Sequence, residues 1–316
     1  MSSQKKILLV GSANMDLSMN IFKLPEAGQT LLDDGGVSYT PGGKGANSAM
    51  AITKLGGQCV FCTKLGADLH GQKLFSYYKE SGIDVSAIKV DHDYPTGLAV
   101  VIKGHDGTNR IVVYPGANSN LTTENVMEAF KCEPDALYIG FEIPFNVALT
   151  AAKIAAGKGI PIFVDPAPAD KSHPLENLPY VEIFSPNETE TIEYTGINPV
   201  GAEASLHAAL ALYKKVKCKY VVIKQGARGA FICDGKHFDM IPAMRADKQV
   251  VDTTAAGDAF TAAMTLEYLR NGGDIKAAVK FGVAAGAITV TRKGASASIP
   301  SDEEVRALLD KKGFFS

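Results

Sequence analysis

The sequence predicts an α/β fold with a mostly parallel central sheet and helices on both faces. Two observations predict it. Short apolar runs alternate with amphipathic helical stretches over most of the 316 residues. The C-terminal part, residues 255–309, then reads as mostly helical. Unbroken apolar strands between helices mark a sheet buried on both sides.

The expected strands are residues 7–10, 58–63, 136–141, 161–164, 181–185 and 220–224. Between them the apolar spacing predicts helices over 46–55, 71–81, 123–130, 146–156, 188–195 and 202–215. Two regions break this alternation. Residues 96–101 and 110–114 are strand-like runs joined by Gly104-His-Asp-Gly-Thr108, a hairpin signal. Residues 17–39 lack helical periodicity and carry Pro25, Gly28, Gly35 and Gly36. Neither region is a βα unit. With no internal repeat and no low-complexity linker, the chain is expected to be one domain.

Composition excludes several classes of function. A hydrophobic content of 46% supports a large core. The net charge of −2 has no block of one sign behind it, so no nucleic-acid or membrane surface is expected. No apolar run approaches the roughly 18 residues of a membrane span. The polar start, Met1 to Lys6, leads directly into Ile7-Leu-Leu-Val10 and does not look like a signal peptide, so a cytoplasmic location is expected. The five cysteines are scattered. Cys59 and Cys62 lie in one expected strand, where positions three apart face opposite sides of the sheet, so they are expected to be packed thiols rather than a metal site. The histidines are dispersed, with no H-E-x-x-H pattern.

The stretch Asp252-Thr-Thr-Ala-Ala-Gly-Asp258-Ala-Phe260 carries the strongest chemical signal. It places small residues and one carboxylate at an expected helix start, where free N–H groups and the helix dipole attract anions. Ala255, Ala256 and Gly257 leave the backbone bare. Asp258 would repel a phosphate there, unless it takes a proton from a hydroxyl that attacks the phosphate. An acidic first turn that merely complements the dipole has the same pattern.

A second glycine-rich segment, Thr40-Pro-Gly-Gly-Lys-Gly-Ala-Asn47, precedes an apolar helical pattern. It is not a Walker A loop, because Gly45 follows Lys44 where Ser or Thr should stand. Gly42, Gly43 and Gly45 allow close approach of a small polar ligand, and Lys44 and Asn47 offer donors. A plain strand-to-helix turn also needs such glycines. Ligands of open α/β sheets sit beyond the carboxyl ends of strands. Asn14, Asp16, Glu142, Asn187 and Gly226 all fall at such ends. Asp16 alone equally suits an Asx turn.

Together these segments, with Gly11-Ser-Ala-Asn14-Met-Asp16, Asn187-Glu-Thr-Glu190, Gly226-Ala-Arg-Gly229 and Thr291-Arg-Lys-Gly-Ala295, resemble the ribokinase-like carbohydrate kinase family over almost the whole chain. The resemblance implies ATP-dependent phosphorylation of D-ribose at O5, with Asp258 as general base and Ala255, Ala256 and Gly257 as an anion hole. It implies sugar contacts from Asn14, Asp16, Gly42, Gly43, Lys44, Gly45, Asn47 and Glu142. For the nucleotide it implies Asn187, Lys224, Gln225, Gly226, Ala227, Arg228, Gly229, Gly257 and Val283. Glu190 would support Mg2+ through water, although Asn187 and Glu190 also form the pattern of a helix capping box. Asp252, Thr254, Thr289, Arg292, Gly294 and Ser298 would hold a monovalent cation, K+, whereas Asp252 as a plain helix cap is the alternative. Residues 17–39 and 96–114 would form a small β-sheet lid over the sugar and a homodimer interface. A kinase for deoxyribose, fructose, a keto-deoxy sugar acid or a nucleoside, or a sugar-binding regulator without catalysis, fits the same fold. Ala259, Ser48 and Lys224 depart from the family's usual residues and bear on sugar or nucleotide preference.

Overall fold

The computed structural model describes residues 4–32, 35–104, 109–246 and 248–311. The hairpin turn expected at Gly104–Thr108 therefore lies largely outside the described residues. The chain opens with β1 (Lys6–Val10), β2 (Asn14–Ile21) and β3 (Val37–Gly42), then α1 (Lys44–Lys54), β4 (Gln58–Gly66) and α2 (Leu69–Glu80). Next come β5 (Ile88–Asp91), β6 (Gly97–Gly104), β7 (Asn109–Tyr114), α3 (Thr123–Ala129), β8 (Ala136–Gly140) and α4 (Phe145–Gly157). The middle continues with β9 (Ile162–Asp165), β10 (Val181–Phe184), α5 (Glu188–Thr195), α6 (Ala202–Lys215), β11 (Cys218–Lys224), β12 (Ala230–Cys233) and β13 (Phe238–Ile241). Three helices close the chain: α7 (Ala256–Arg270), α8 (Ile275–Thr289) and α9 (Asp302–Lys311).

Among the described residues the strands form two sheets. The larger has nine strands in the order β13-β12-β11-β10-β9-β8-β1-β4-β5. It is parallel from β11 to β5, and β12 and β13 add an antiparallel edge. Alternate residues of one strand enter two separate cores. Ile7 and Leu9 pack with residues of α1, α7 and α8, and Leu8 and Val10 pack with residues of α3, α4 and α6. That is the period-two pattern of a sheet covered by helices on both faces. Cys59 and Cys62 separate in the same way, one into each core, and all five cysteines are free thiols. No helix among the described residues is long and apolar enough to cross a membrane.

The smaller sheet has the order β3-β2-β6-β7. It joins the two regions that break the βα alternation. Its strands reach further than residues 17–39: β2 begins at Asn14 and β3 runs to Gly42, pairing Asn14 with Gly42 and Asp16 with Thr40. The cause is that β2 pairs on both sides, with β3 antiparallel and with β6 parallel from Asn14–Gly97 to Ile21–Gly104. Hydrogen-bonding partners on both edges extend the strand down to the first buried residues of the site.

Candidate active site

Two helix starts face each other at the carboxyl end of the large sheet. The first is that of α1. Its N-cap is Gly43, with φ 88°, so Lys44 and Gly45 belong to the first helical turn and not to a loop. Helix α1 packs directly on the β1–β2 turn. A Cβ on Gly45 would lie 2.6 Å from the Ser12 nitrogen, and one on Gly43 2.8 Å from the Asn14 nitrogen. Only glycine permits this approach, which explains the Gly-Gly-Lys-Gly spacing. The Lys44 N–H donates to Glu142 Oε2 at 3.1 Å, and the Ser12 hydroxyl donates a short bond to the same oxygen. A carboxylate at a helix N-terminus is favoured by the dipole.

The second start is that of α7. Its N-cap is Ala255, a non-glycine residue in the left-handed region at φ 62°. This conformation costs of order 1 kcal/mol for alanine. Asp252 is not the cap. Its Oδ1 accepts from Thr254 N (3.0 Å) and Thr254 Oγ1 (2.6 Å), and its Oδ2 accepts from Gly294 N at 3.1 Å. Burial pushes the Asp252 carboxyl up, but these hydrogen bonds outweigh it and hold the group below its ordinary value. The Val251 and Asp252 N–H groups donate to the Val290 carbonyl. The segments around 252–254 and 289–298, remote in sequence, are thus one local structure. The Ala256 N–H turns back to the Thr253 carbonyl at 3.3 Å, so one of the three donors expected in the anion hole is engaged within the loop.

Asp258 lies in the first turn of α7 and is only 7% exposed, so it is not a solvated acid that merely complements the dipole. Its Oδ2 accepts from Asn47 Nδ2 at 2.8 Å, which ties α1 to α7. Burial drives its carboxyl above the usual carboxylate range. The Lys44 charge pulls it down, and Asp165 pushes it up again. The Lys44 ammonium is held protonated above its ordinary value, chiefly by Asp258. A carboxylate shifted toward neutrality suits proton transfer.

Asn14 and Asp16 rise from the site along β2. Asn14 is buried, with Oδ1 accepting from Asn118 Nδ2 at 2.8 Å. Asp16 forms no Asx turn. Its carboxylate covers Gly42, where a Cβ would lie 2.1 Å from Asp16 Oδ2, and its Oδ1 is buried without a partner. Burial, then the charges of Glu142 and Asp258, push the Asp16 carboxyl up to about 7.

On the other side of Asp258, the segment Asn187–Glu190 forms a complete capping box at the start of α5. Asn187 Oδ1 accepts from Glu190 N, and Glu190 Oε2 accepts from Asn187 N. Glu190 Oε1 also accepts from Asn187 Nδ2. The loop Gly226–Arg228 links β11 to β12 as a hairpin, with Gly226 at φ 52° and Gly229 at φ 100°. Several side chains expected at a nucleotide make contacts within the protein. Gln225 is buried and donates to Pro199 O and Ser205 Oγ, which anchors the start of α6. Arg228 pairs with Glu188. Val283 is 6% exposed inside the core and offers almost no surface. Lys224 points away from its loop, to Asp165 Oδ2 at 2.6 Å and Thr261 Oγ1 at 3.1 Å. Thr289 Oγ1 and Ser298 Oγ donate to Ala285 O and Ala295 O, which leaves their oxygen lone pairs free, and Arg292 pairs with Glu304.

Three site residues escaped the sequence analysis. Asp165 ends β9 at 5% exposure, beside Lys224 and within electrostatic reach of Asp258. The strand-end rule would have found it, because it follows the expected strand 161–164 directly. Ser12 supports Glu142, and Asn118 supports Asn14, across 130 and 104 residues of chain. No local pattern signals such contacts.

The family model for "pfkB family carbohydrate kinase" matches residues 4–302. A ribokinase of Haemophilus influenzae is 33% identical, with 97% of this chain and 99% of that protein aligned. A bifunctional ribokinase/ribose-5-phosphate isomerase A of Fructilactobacillus sanfranciscensis is 34% identical over 97% of this chain, which spans only 56% of that longer protein. The solved structure of Arabidopsis thaliana ribokinase complexed with ribose and ATP superposes with a TM-score of 0.86 at 31% identity, covering 97% of this chain and 98% of that one. A buried carboxylate at a bare helix start, faced by a second glycine-rich helix start and matched along nearly the full length, leaves one conclusion: this chain belongs to the pfkB family of carbohydrate kinases.

Proposed function

We propose that the chain transfers the γ-phosphoryl group of ATP to O5 of D-ribose. The observation that carries this reading is the burial of Asp258 between Lys44, Asn47 and the first turn of α7. The relatives named ribokinase, and the neighbour solved with ribose and ATP, support the choice of substrates. Asn14, Asp16, Lys44, Asn47 and Glu142 bind the sugar hydroxyls, with Gly42, Gly43 and Gly45 giving room. The proton on O5 passes to Asp258 as the O5–phosphorus bond forms. The bond from phosphorus to the β,γ-bridging oxygen breaks, and ADP leaves. Backbone N–H groups of Ala255 and Gly257, and of Ala256 once it releases Thr253, stabilise the developing charge. Asn187 and the turn from Gln225 to Gly229 flank the nucleotide.

Magnesium, when bound, neutralises phosphate charge. The donor set fits it: Glu190 keeps carboxylate lone pairs beyond its capping box for bound water. The loops at 252–254 and 289–298 offer one carboxylate and several neutral oxygens, a set that suits potassium better than magnesium. Activity is expected to be higher in potassium than in sodium or a bulky organic cation at matched ionic strength. Asp252→Ala should remove that difference, and equal rates in all three salts would exclude the site.

The small sheet acts as a lid and as a dimer surface. Val112 is 70% exposed, Tyr39 57% and Val37 53%, residues that the strand register puts on one apolar face that a solvated sheet would not keep bare. Sedimentation should show a two-chain particle that Val112→Asp dissociates. A monomeric parent protein would remove the dimer.

A panel of ribose, deoxyribose, fructose, a keto-deoxy sugar acid and a nucleoside, read by ADP release, tests the substrate. Ribose is expected to give the highest kcat/KM. A higher value for any other member replaces ribose, and no ADP release from any of them favours the non-catalytic regulator.

A further inference from the structure

Asp165 and Lys224 form a buried ion pair; the resemblance places Lys224 at the nucleotide without giving its ammonium a part in the chemical step, and it gives Asp165 no role. They are the last residues of β9 and β11, at 5% and 8% exposure. Lys224 Nζ donates to Asp165 Oδ2 at 2.6 Å and to Thr261 Oγ1 at 3.1 Å. Stability alone gives little reason for such a pair, since well-packed apolar residues of similar volume usually serve the fold as well or better. The pair is also incomplete. Asp165 Oδ1 has no partner although it is buried, and the ammonium, with three N–H bonds, has two acceptors. An interior pair kept for the fold should be saturated.

Its position accounts for both facts. A Cβ on Gly257 would lie 3.9 Å from Lys224 Nζ. Gly257 is exposed and Lys224 is not, so the ammonium sits one atomic layer behind the bare backbone that starts α7. The surroundings are strongly acidic. Asp165, Glu190, Asp258 and Glu142 all act on the Lys44 charge. A phosphate entering among these carboxylates needs fixed positive charge nearby, and Lys44 and Lys224 are the ammonium groups that act on Asp258.

We propose that Lys224 is a catalytic residue whose ammonium contacts the transferring phosphoryl group at the start of α7, and that Asp165 is the positioning residue that aims it there. The free N–H of Lys224 reaches the phosphoryl oxygen past Gly257. Asp165 and Thr261 hold the other two N–H bonds, so the charge is in place before the reaction begins. A glycine at position 257 keeps the path open. The inference rests on Asp258 marking the point of transfer.

The test is a charge cycle measured with the sugar that the parent enzyme turns over best. Lys224→Met should lower kcat about 10²-fold or more, with little change in the sugar KM. Asp165→Asn should lower kcat less, because the ammonium remains but is no longer aimed. The double variant Asp165→Asn/Lys224→Met replaces the pair with neutral side chains of similar volume, so its Tm should return toward that of the parent. Its kcat should stay low. A double variant that regains both Tm and kcat would make the pair purely structural and overturn the proposal, as would full kcat in Lys224→Met. If Lys224→Met does not fold, the double variant alone decides. Full turnover in Asp258→Asn is a separate result: it removes the premise about the point of transfer, whereas recovery in the double variant leaves Asp258 untouched.

Discussion

Asp258→Asn is expected to lower kcat by about 10²–10⁴-fold while ribose and ATP still bind. The substitution keeps size and one acceptor, so Asn47 Nδ2 retains its partner, and it removes only the ability to take a proton. The buried carboxyl of Asp258 lies above the ordinary carboxylate range, chiefly through desolvation. Proton acceptance requires its ionised form, which is populated above that raised value. Activity of the parent enzyme should therefore rise with pH through an acid limb above the usual carboxylate range, and the residual activity of Asp258→Asn should lack that limb. Rapid-quench measurement of the chemical step, with calorimetry for each ligand, checks the claim. Near-parental kcat in the variant would end the assignment of Asp258 as the base.

Asp16→Asn should have opposite effects on binding and stability. A carboxylate that accepts sugar hydroxyls makes charge-assisted bonds worth roughly 1.5–3 kcal/mol, so ribose binding should weaken about 10–100-fold. ATP binding measured without sugar should stay unchanged. The folded protein holds the Asp16 proton more tightly than the unfolded chain, with the carboxyl raised from 3.8 to about 7. The resulting stabilisation is full below 3.8 and is lost as pH rises through about 7. At pH 8 the parent protein thus carries a buried charge beside Glu142 and Asp258. The neutral variant avoids it, so its Tm should exceed that of the parent at pH 8, and the gap should narrow as pH falls through about 7 toward 3.8. A Tm difference that does not change with pH would mean that Asp16 is not ionised at neutral pH in the way described.

The large sheet was legible because its strands are short unbroken apolar runs, and β10, for example, ends within one residue of its expected end. Helix α1 was read two residues too late at its start, because Gly43 and Gly45 look like loop residues until the β1–β2 turn is seen packed against them. The facing of Asn47 and Asp258 was implied by family resemblance and never by spacing, since 211 residues separate them. The regions of the small sheet were recognisable only as departures from the βα rhythm. Their union depends on β2 pairing in parallel with β6, a long-range contact for which single strands carry no signature. Asp165 was readable in principle from the strand-end rule. Its partner Lys224 was read as a strand-end residue at the nucleotide, and its turn toward Asp165 was not readable because sequence position says nothing about which way a long side chain points.

Strand β2 has a mechanical consequence. Its first residue, Asn14, is clamped by Asn118, by Gly42 and by Gly97, and Asp16 stands one step of the same face further along. The strand then runs on to Ile21 without a break. Asp16, the proposed sugar contact, is therefore part of a stiff lever with its fulcrum at Asn14. Seven residues of strand beyond Asn14 span about 23 Å, so a tilt of about 10° at the base moves the tip by about 4 Å. Since β2 bonds to β3 on one side and β6 on the other, it carries both neighbours with it. A shift of about 1 Å at the Asp16 carboxylate would thus become a several-fold larger displacement at the far edge of the small sheet, and on the proposed function the sugar would set the angle of a surface far from it.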